Sequence, residues 1–117
     1  MLRISTLSSA ENRALEEFKE RVLRALSGRI ELIQLFGSKA RGDYKDGSDL
    51  DVLVVLREAE DADDDVVSDL AFDVLLEHAV FISPLVLSEK KYKDLTRYPF
   101  SIVHDIEKDG VVLWPSN

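Results

Sequence analysis

Two aspartates two positions apart, Asp49 and Asp51, open an apolar run that continues to Leu56. Alternate residues of a strand share a face, so a strand starting here holds both carboxylates on one side. Two anions held side by side repel unless water covers them or a cation neutralises them. Oxygen-only ligation of this kind suits Mg²⁺, with Mn²⁺ able to substitute, rather than zinc. Upstream, Gly37 and Ser38 directly follow an earlier apolar run, Ile30 to Phe36. A glycine at that point lets another group come close to the backbone, and a serine hydroxyl with free N–H groups holds phosphate oxygens where a helix begins. The segment between the runs, GSKARGDYKDGSDLD, therefore leaves one strand tip and returns at another. A phosphate-binding end then faces a metal-binding end, which is the chemistry of a metal-bound nucleoside triphosphate.

These residues resemble the signature of the minimal nucleotidyltransferase domain of the DNA polymerase beta superfamily. Gly37-Ser38 is followed after ten residues by Asp49-x-Asp51, and Arg41-Gly42 and Ser48 also match. More loosely, the order helix, strand, loop, strand, helix, strand, helix fits the family over nearly the whole chain. The resemblance implies an α/β (α+β) nucleotidyltransferase fold with a small mixed β-sheet flanked by helices. It implies attack by an acceptor oxygen on the α-phosphate of a nucleoside triphosphate, ATP being the expected donor, with release of pyrophosphate. Asp49 and Asp51 become the catalytic metal ligands for Mg²⁺, in a one- or two-ion site. Gly37 and Ser38 are expected at the β and γ phosphates, with Arg41 and Ser48 completing the nucleotide-binding set. Arg41 has a competing role as a salt-bridge partner of Asp43 or Asp49. Single-domain members resemble the antitoxin of a pair whose other half is an all-helical HEPN ribonuclease toxin, and there the transferase adds AMP to the toxin. Such a partner would supply the acceptor hydroxyl.

The chain departs from the family pattern at one place. Active members usually carry a third carboxylate on a later strand, whereas Val80 to Leu87 contains no Asp or Glu. Ser83 falls near the expected position, and Glu77 and Glu89 flank the run. Losing that acid weakens one metal position and removes a candidate general base. Two further readings therefore stand beside adenylyl transfer to a HEPN partner: a module that inhibits the partner by binding alone, and transfer to a small hydroxylated molecule with a homodimer completing the pocket.

At 117 residues the chain is expected to form one minimal domain, residues 1–117, with no second substrate-binding domain. Hydrophobic residues at 45% and charged residues at 32% are those of an ordinary globular protein. The first residues have no apolar core of signal-peptide type and no run reaches transmembrane length, which predicts a cytoplasmic protein without membrane contact. With no cysteine, disulfides and thiolate chemistry are excluded, and two histidines, His78 and His104, are too few for a histidine-rich metal site. A net charge of -8 with scattered Lys and Arg repels long nucleic acid, so polymerase activity on DNA is disfavoured.

The positioning elements follow from spacing. Ser8 to Gly28 predicts an amphipathic helix with a Ser8/Glu11 capping box, an apolar face of Leu15, Phe18, Val22 and Leu26, and Gly28 at its end. Ile30–Phe36 and Leu50–Leu56 predict strands, the second central because it is apolar on both faces. Ser38 to Arg41 suits a short helical turn, and Gly42, Asp43, Asp46 and Gly47 mark a loop. The acidic stretch before Val66 reads as the solvated, dipole-stabilised start of a helix reaching His78. Val80 to Leu87 predicts a strand that is at an edge or bulged because of Pro84. Ser88 should cap a helix to about Tyr98, Pro99 to Asp109 a further helix ended by Gly110, and Val111 to Trp114 a terminal strand anchored by Trp114. Tyr92 and Tyr98 are expected to pack.

Overall fold

A computed structural model describes residues 2–43 and 47–116. The elements follow in the order α1 (Ser9–Ala25), β1 (Ile30–Phe36), α2 (Gly37–Arg41), β2 (Leu50–Leu56), α3 (Asp63–His78), β3 (Ile82–Ser88), α4 (Glu89–Leu95), α5 (Ile102–Asp109) and β4 (Val111–Trp114). The sheet order is β3-β2-β1-β4. β1 is antiparallel to β2 and β4, while β2 and β3 run parallel, so the sheet is mixed as expected. β3 lies at an edge, where the N–H that Pro84 lacks does least harm to the ladder.

β2 is buried on both faces because its alternate residues enter two cores. Leu50, Val52, Val54 and Leu56 join Leu15, Phe18 and Val22 of α1 and Val67, Ala71 and Val74 of α3 in the larger one. Leu53 and Val55 meet Ile106 of α5 in the smaller, with Leu32, Phe36, Leu85, Leu87 and Tyr92 packed against it. Among the described residues no helix is long and apolar enough to cross a membrane.

Most element boundaries follow their sequence signals. Ser8 and Glu11 form the reciprocal capping box, and Ser88 caps α4 by accepting from the Lys91 N–H at 3.0 Å. Helix α1 stops three residues before Gly28: Leu26 is its C-cap, and Gly28, at φ +78°, instead turns the chain into β1. The acidic run does start a helix, but Asp63 is 3% exposed rather than solvated. It accepts from the Glu60 N–H at 2.7 Å and from both terminal nitrogens of Arg29, at 3.0 and 2.5 Å, and so fastens the turn before α3 to the base of β1. Tyr98, beyond the end of α4, is 63% exposed and does not pack, whereas Tyr92 does. Trp114 packs against the larger core, as an anchor should.

Candidate functional site

Gly37 to Arg41 forms a single short helix that begins directly at the tip of β1. Its first amides have no acceptor within the helix, which is general for helix starts, and its N-cap, Phe36, makes no side-chain cap hydrogen bond. Gly37 adopts φ +77°, a left-handed conformation that favours glycine, and Gly42 closes the helix at φ +84° with its N–H on the Ser38 carbonyl at 2.8 Å. A Cβ added to Gly37 would collide with Asp51 Oδ2 and lie 3.3 Å from its Cγ. The glycine therefore permits direct contact between the phosphate-type loop and the aspartate strand.

Antiparallel pairing of β1 and β2 brings Phe36 opposite Asp51, so Gly37, Ser38, Asp49 and Asp51 gather at one end of the sheet. Asp51 is half-buried and Asp49 exposed. Burial, and then the neighbouring Asp49 carboxylate, push the Asp51 carboxyl above its ordinary range, while Arg41 pulls the other way. The Leu50 N–H donates to the Phe81 carbonyl at 3.0 Å, fixing the aspartate strand against the start of β3.

Arg41 is exposed and its Nε donates to Asp43 Oδ2 at 3.0 Å, the ion pair that competed with phosphate contact in the sequence reading. That bond, with further pull from Asp109 and Asp105 of α5, holds the guanidinium above its ordinary pKa. Ser48 lines a cleft of about 320 Å³ with Glu11, Lys39, Gly47, His78 and Phe81. Asp46, the remaining loop residue singled out in the sequence, lies outside the described residues.

Parallel pairing sets Asp51 beside Ser83, with the exposed serine on the same face as the carboxylate. Neither flanking glutamate can take that place. Glu77 is bonded to Arg21 between α3 and α1, and Glu89 follows Ser88, which pairs with Leu56 at the opposite end of the strand. Among the described residues no group of three or more His, Cys, Asp or Glu side chains could hold a metal ion. The donor set present is two neighbouring carboxylates, Asp51 in β2 and Asp49 just before that strand begins, the former with its charge opposed by burial and by its neighbour. It fits a hard dication whose remaining ligands come from phosphate oxygens and water.

Sequence reasoning missed the clamp beneath α2. Lys39 is 5% exposed, and its Nζ donates to Glu11 Oε2 at 2.6 Å while Glu11 Oε1 accepts the Ser8 N–H at 2.9 Å. Burial raises the Glu11 pKa, yet the Lys39 and Ser8 bonds outweigh it and leave the carboxyl below its ordinary value. The capping box announced Glu11 but carried no signal for its second partner. His104 Nε2 donates to the Thr96 carbonyl, 2.9 Å away, in the connection between α4 and α5. The Tyr92 hydroxyl donates to Glu107 at 3.0 Å, and burial followed by that carboxylate pushes its pKa up to about 12.

Residues 12–113 match the family model of the nucleotidyltransferase domain. The chain is 38% identical over 104 residues, 89% of its length and 98% of the relative's, to a protein of Methanocaldococcus jannaschii provisionally named a protein adenylyltransferase. A chain in a crystal structure of a toxin-antitoxin with AMP-PNP superposes with a TM-score of 0.59 at 21% identity, covering 87% of this chain and 74% of that one. A chain in the complex of tri-AMPylated Shewanella oneidensis HEPN toxin with MNT antitoxin gives a TM-score of 0.50 at 18% identity, covering 88% and 73%. At these identities the structural likeness is one of fold.

Proposed function

The chain belongs to the nucleotidyltransferase domain family, and from that premise we propose that it transfers AMP from ATP to a hydroxyl of a protein partner of the HEPN toxin type. The observation that carries the reading is the contact between Gly37 and Asp51, which joins a helix start able to bind phosphate to a pair of carboxylates able to bind metal. Adenylyl transfer to protein is supported by the name of the Methanocaldococcus relative, and a HEPN partner by the complexes that share the fold.

In this reading Asp49 and Asp51 hold Mg²⁺, which when bound neutralises triphosphate charge and eases departure of pyrophosphate. The first amides of α2 and the Ser38 hydroxyl take the β and γ phosphate oxygens. Arg41 is close enough to the aspartates to feel their charge, and exchanging Asp43 for a phosphate gives it a role in binding. Ser48 braces the approach to Asp49. The acceptor hydroxyl gives up its proton, its oxygen bonds the α-phosphorus, and the bond to the leaving pyrophosphate breaks. Ser83 cannot act as a carboxylate base there, so the proton passes to solvent or to a group of the partner.

Ser83 beside Asp51 also favours a second reading, a module that neutralises its partner by binding without modifying it. Incubation with ATP labelled at the α-phosphate, Mg²⁺ and the HEPN-type protein encoded beside this chain separates the two. Label on the partner that disappears with Asp49→Asn and Asp51→Asn is expected. A stable complex that acquires no label refutes transfer and leaves the binding module.

A further inference from the structure

A second surface borders this site. Phe72 and Leu76 on the outer side of α3 are 57% and 69% exposed, and Phe81, just before β3, is 60% exposed. Between them runs a groove of about 260 Å³ lined by Ala71, Phe72, Leu75, Phe81, Ile82 and Pro84. Monomers seldom leave large apolar side chains grouped in this way. The surround is acidic: no Lys or Arg occurs between Arg57 and Lys90. Asp65, Asp69 and Asp73 are exposed at helical spacing from Phe72 and Leu76, so acids and apolar residues share the outer face of α3. Arg21, which reaches across from α1, is engaged with Glu17 and Glu77.

The sign of that charge selects the occupant. A second copy meeting this face through its own would set Asp65, Asp69 and Asp73 against like charges. Nucleic acid and anionic membranes are repelled for the same reason. A helix with apolar side chains one turn apart, flanked by Lys or Arg, satisfies both the groove and its rim. Phe81 also lines the cleft that contains Ser48, and its carbonyl holds Leu50, next to Asp49. Through Phe81 the groove adjoins the start of β2 on the α3 side of the sheet, whereas Asp51 and Ser83 share the opposite side.

We propose that the α3–β3 face docks a basic amphipathic helix of the protein partner, leaving the rest of that partner to reach round the end of the sheet to the carboxylates; the second half of this statement rests on the transfer reading above. The probes are a Lys/Leu amphipathic helical peptide and its Glu/Leu counterpart, added to the ¹⁵N-labelled full chain. Binding of the Lys/Leu peptide is expected to shift amides of residues 65–82, to weaken as salt is raised, and to lose about tenfold or more in affinity with Phe72→Asp/Leu76→Asp or with Asp69→Lys/Asp73→Lys. The Glu/Leu peptide should bind at least about tenfold more weakly. Shifts elsewhere on the molecule, equal binding of both peptides, or indifference to both double variants would overturn the proposal. So would sedimentation showing a dimer that Leu76→Asp dissociates, because the occupant would then be a second copy. MgATP binding, measured in parallel with wild type and Asp49→Asn, keeps the two readings apart. Docking without ATP binding sinks transfer alone, and ATP binding without docking sinks the proposed face alone.

Discussion

Gly37 is the residue whose replacement tests the site most directly, since its backbone conformation and its closeness to Asp51 both forbid a side chain. Gly37→Ala at φ +77° is expected to cost about 1–2 kcal/mol from the left-handed conformation, before the displacement of Asp51 is added. Urea unfolding measures the first effect, and loss of MgATP binding well beyond that expected from stability measures the second. Ser83 is the complementary position, exposed, on an edge strand and in register with Asp51. Ser83→Asp adds a third carboxylate without filling the core. The expected outcome is tighter Mn²⁺ binding by calorimetry, with slightly lower stability in metal-free buffer because three acids then repel. Unchanged Mn²⁺ affinity would show that the aspartate pair does not form the metal site.

At the scale of elements, two ion pairs decide where helices stand. Lys39 reaches back to Glu11, so the five-residue α2 is held by the cap of α1 rather than by its own few hydrogen bonds. Lys39→Met keeps most of the apolar stem but leaves Glu11 without its charged donor. It should cost about 1.5–3 kcal/mol, with weaker MgATP binding as α2 loosens. Full retention of both would remove the clamp from the account.

Arg29 and Asp63 do the same for the entry to α3. The hydrogen bonds from Arg29 hold the Asp63 carboxyl below its ordinary range. A carboxyl depressed on folding stabilises the fold above its unfolded pKa of about 3.9, and that stabilisation is lost as pH falls through the lower folded value. Asp63→Asn is therefore expected to be clearly less stable than wild type at pH 7, with the gap closing below about pH 4 in pH-dependent thermal melts. A gap independent of pH would assign the effect of Asp63 to packing.

The whole molecule depends on a sheet covered unequally on its two sides. α1 and α3 cover one face with the larger core, where Phe18 is fully buried, while α4 and α5 cover the other less completely. Phe18→Ala should cost about 3–5 kcal/mol in urea unfolding, since few neighbours can move into the space. If residues 1–117 act as one domain, fluorescence and far-ultraviolet dichroism will give coincident transitions in both wild type and variant. Separate transitions would divide the two sides of the sheet into independent units. The Cα radius of gyration is 13.5 Å, against about 13 Å usual for a domain of this size.

Local chemistry determined what was legible without coordinates. The spacing of apolar residues, the capping box at Ser8, the double-sided burial of Leu50–Leu56 and the choice of edge or bulge imposed by Pro84 all act over a few residues, so the elements and their order could be read along the chain. The family signature from Gly37 to Asp51 was legible for the same reason: its residues sit at fixed spacing on one loop and its two strand ends. Tertiary structure decided contacts between residues far apart in sequence. Glu11 and Lys39 are 28 positions apart and Arg29 and Asp63 34, so no periodicity relates them. The register that sets Ser83 beside Asp51 and sends Glu89 to the far end of β3 depends on how two strands slide past each other, which core packing settles. The apolar strip on α3 likewise became visible only when the other helices were seen to leave it uncovered.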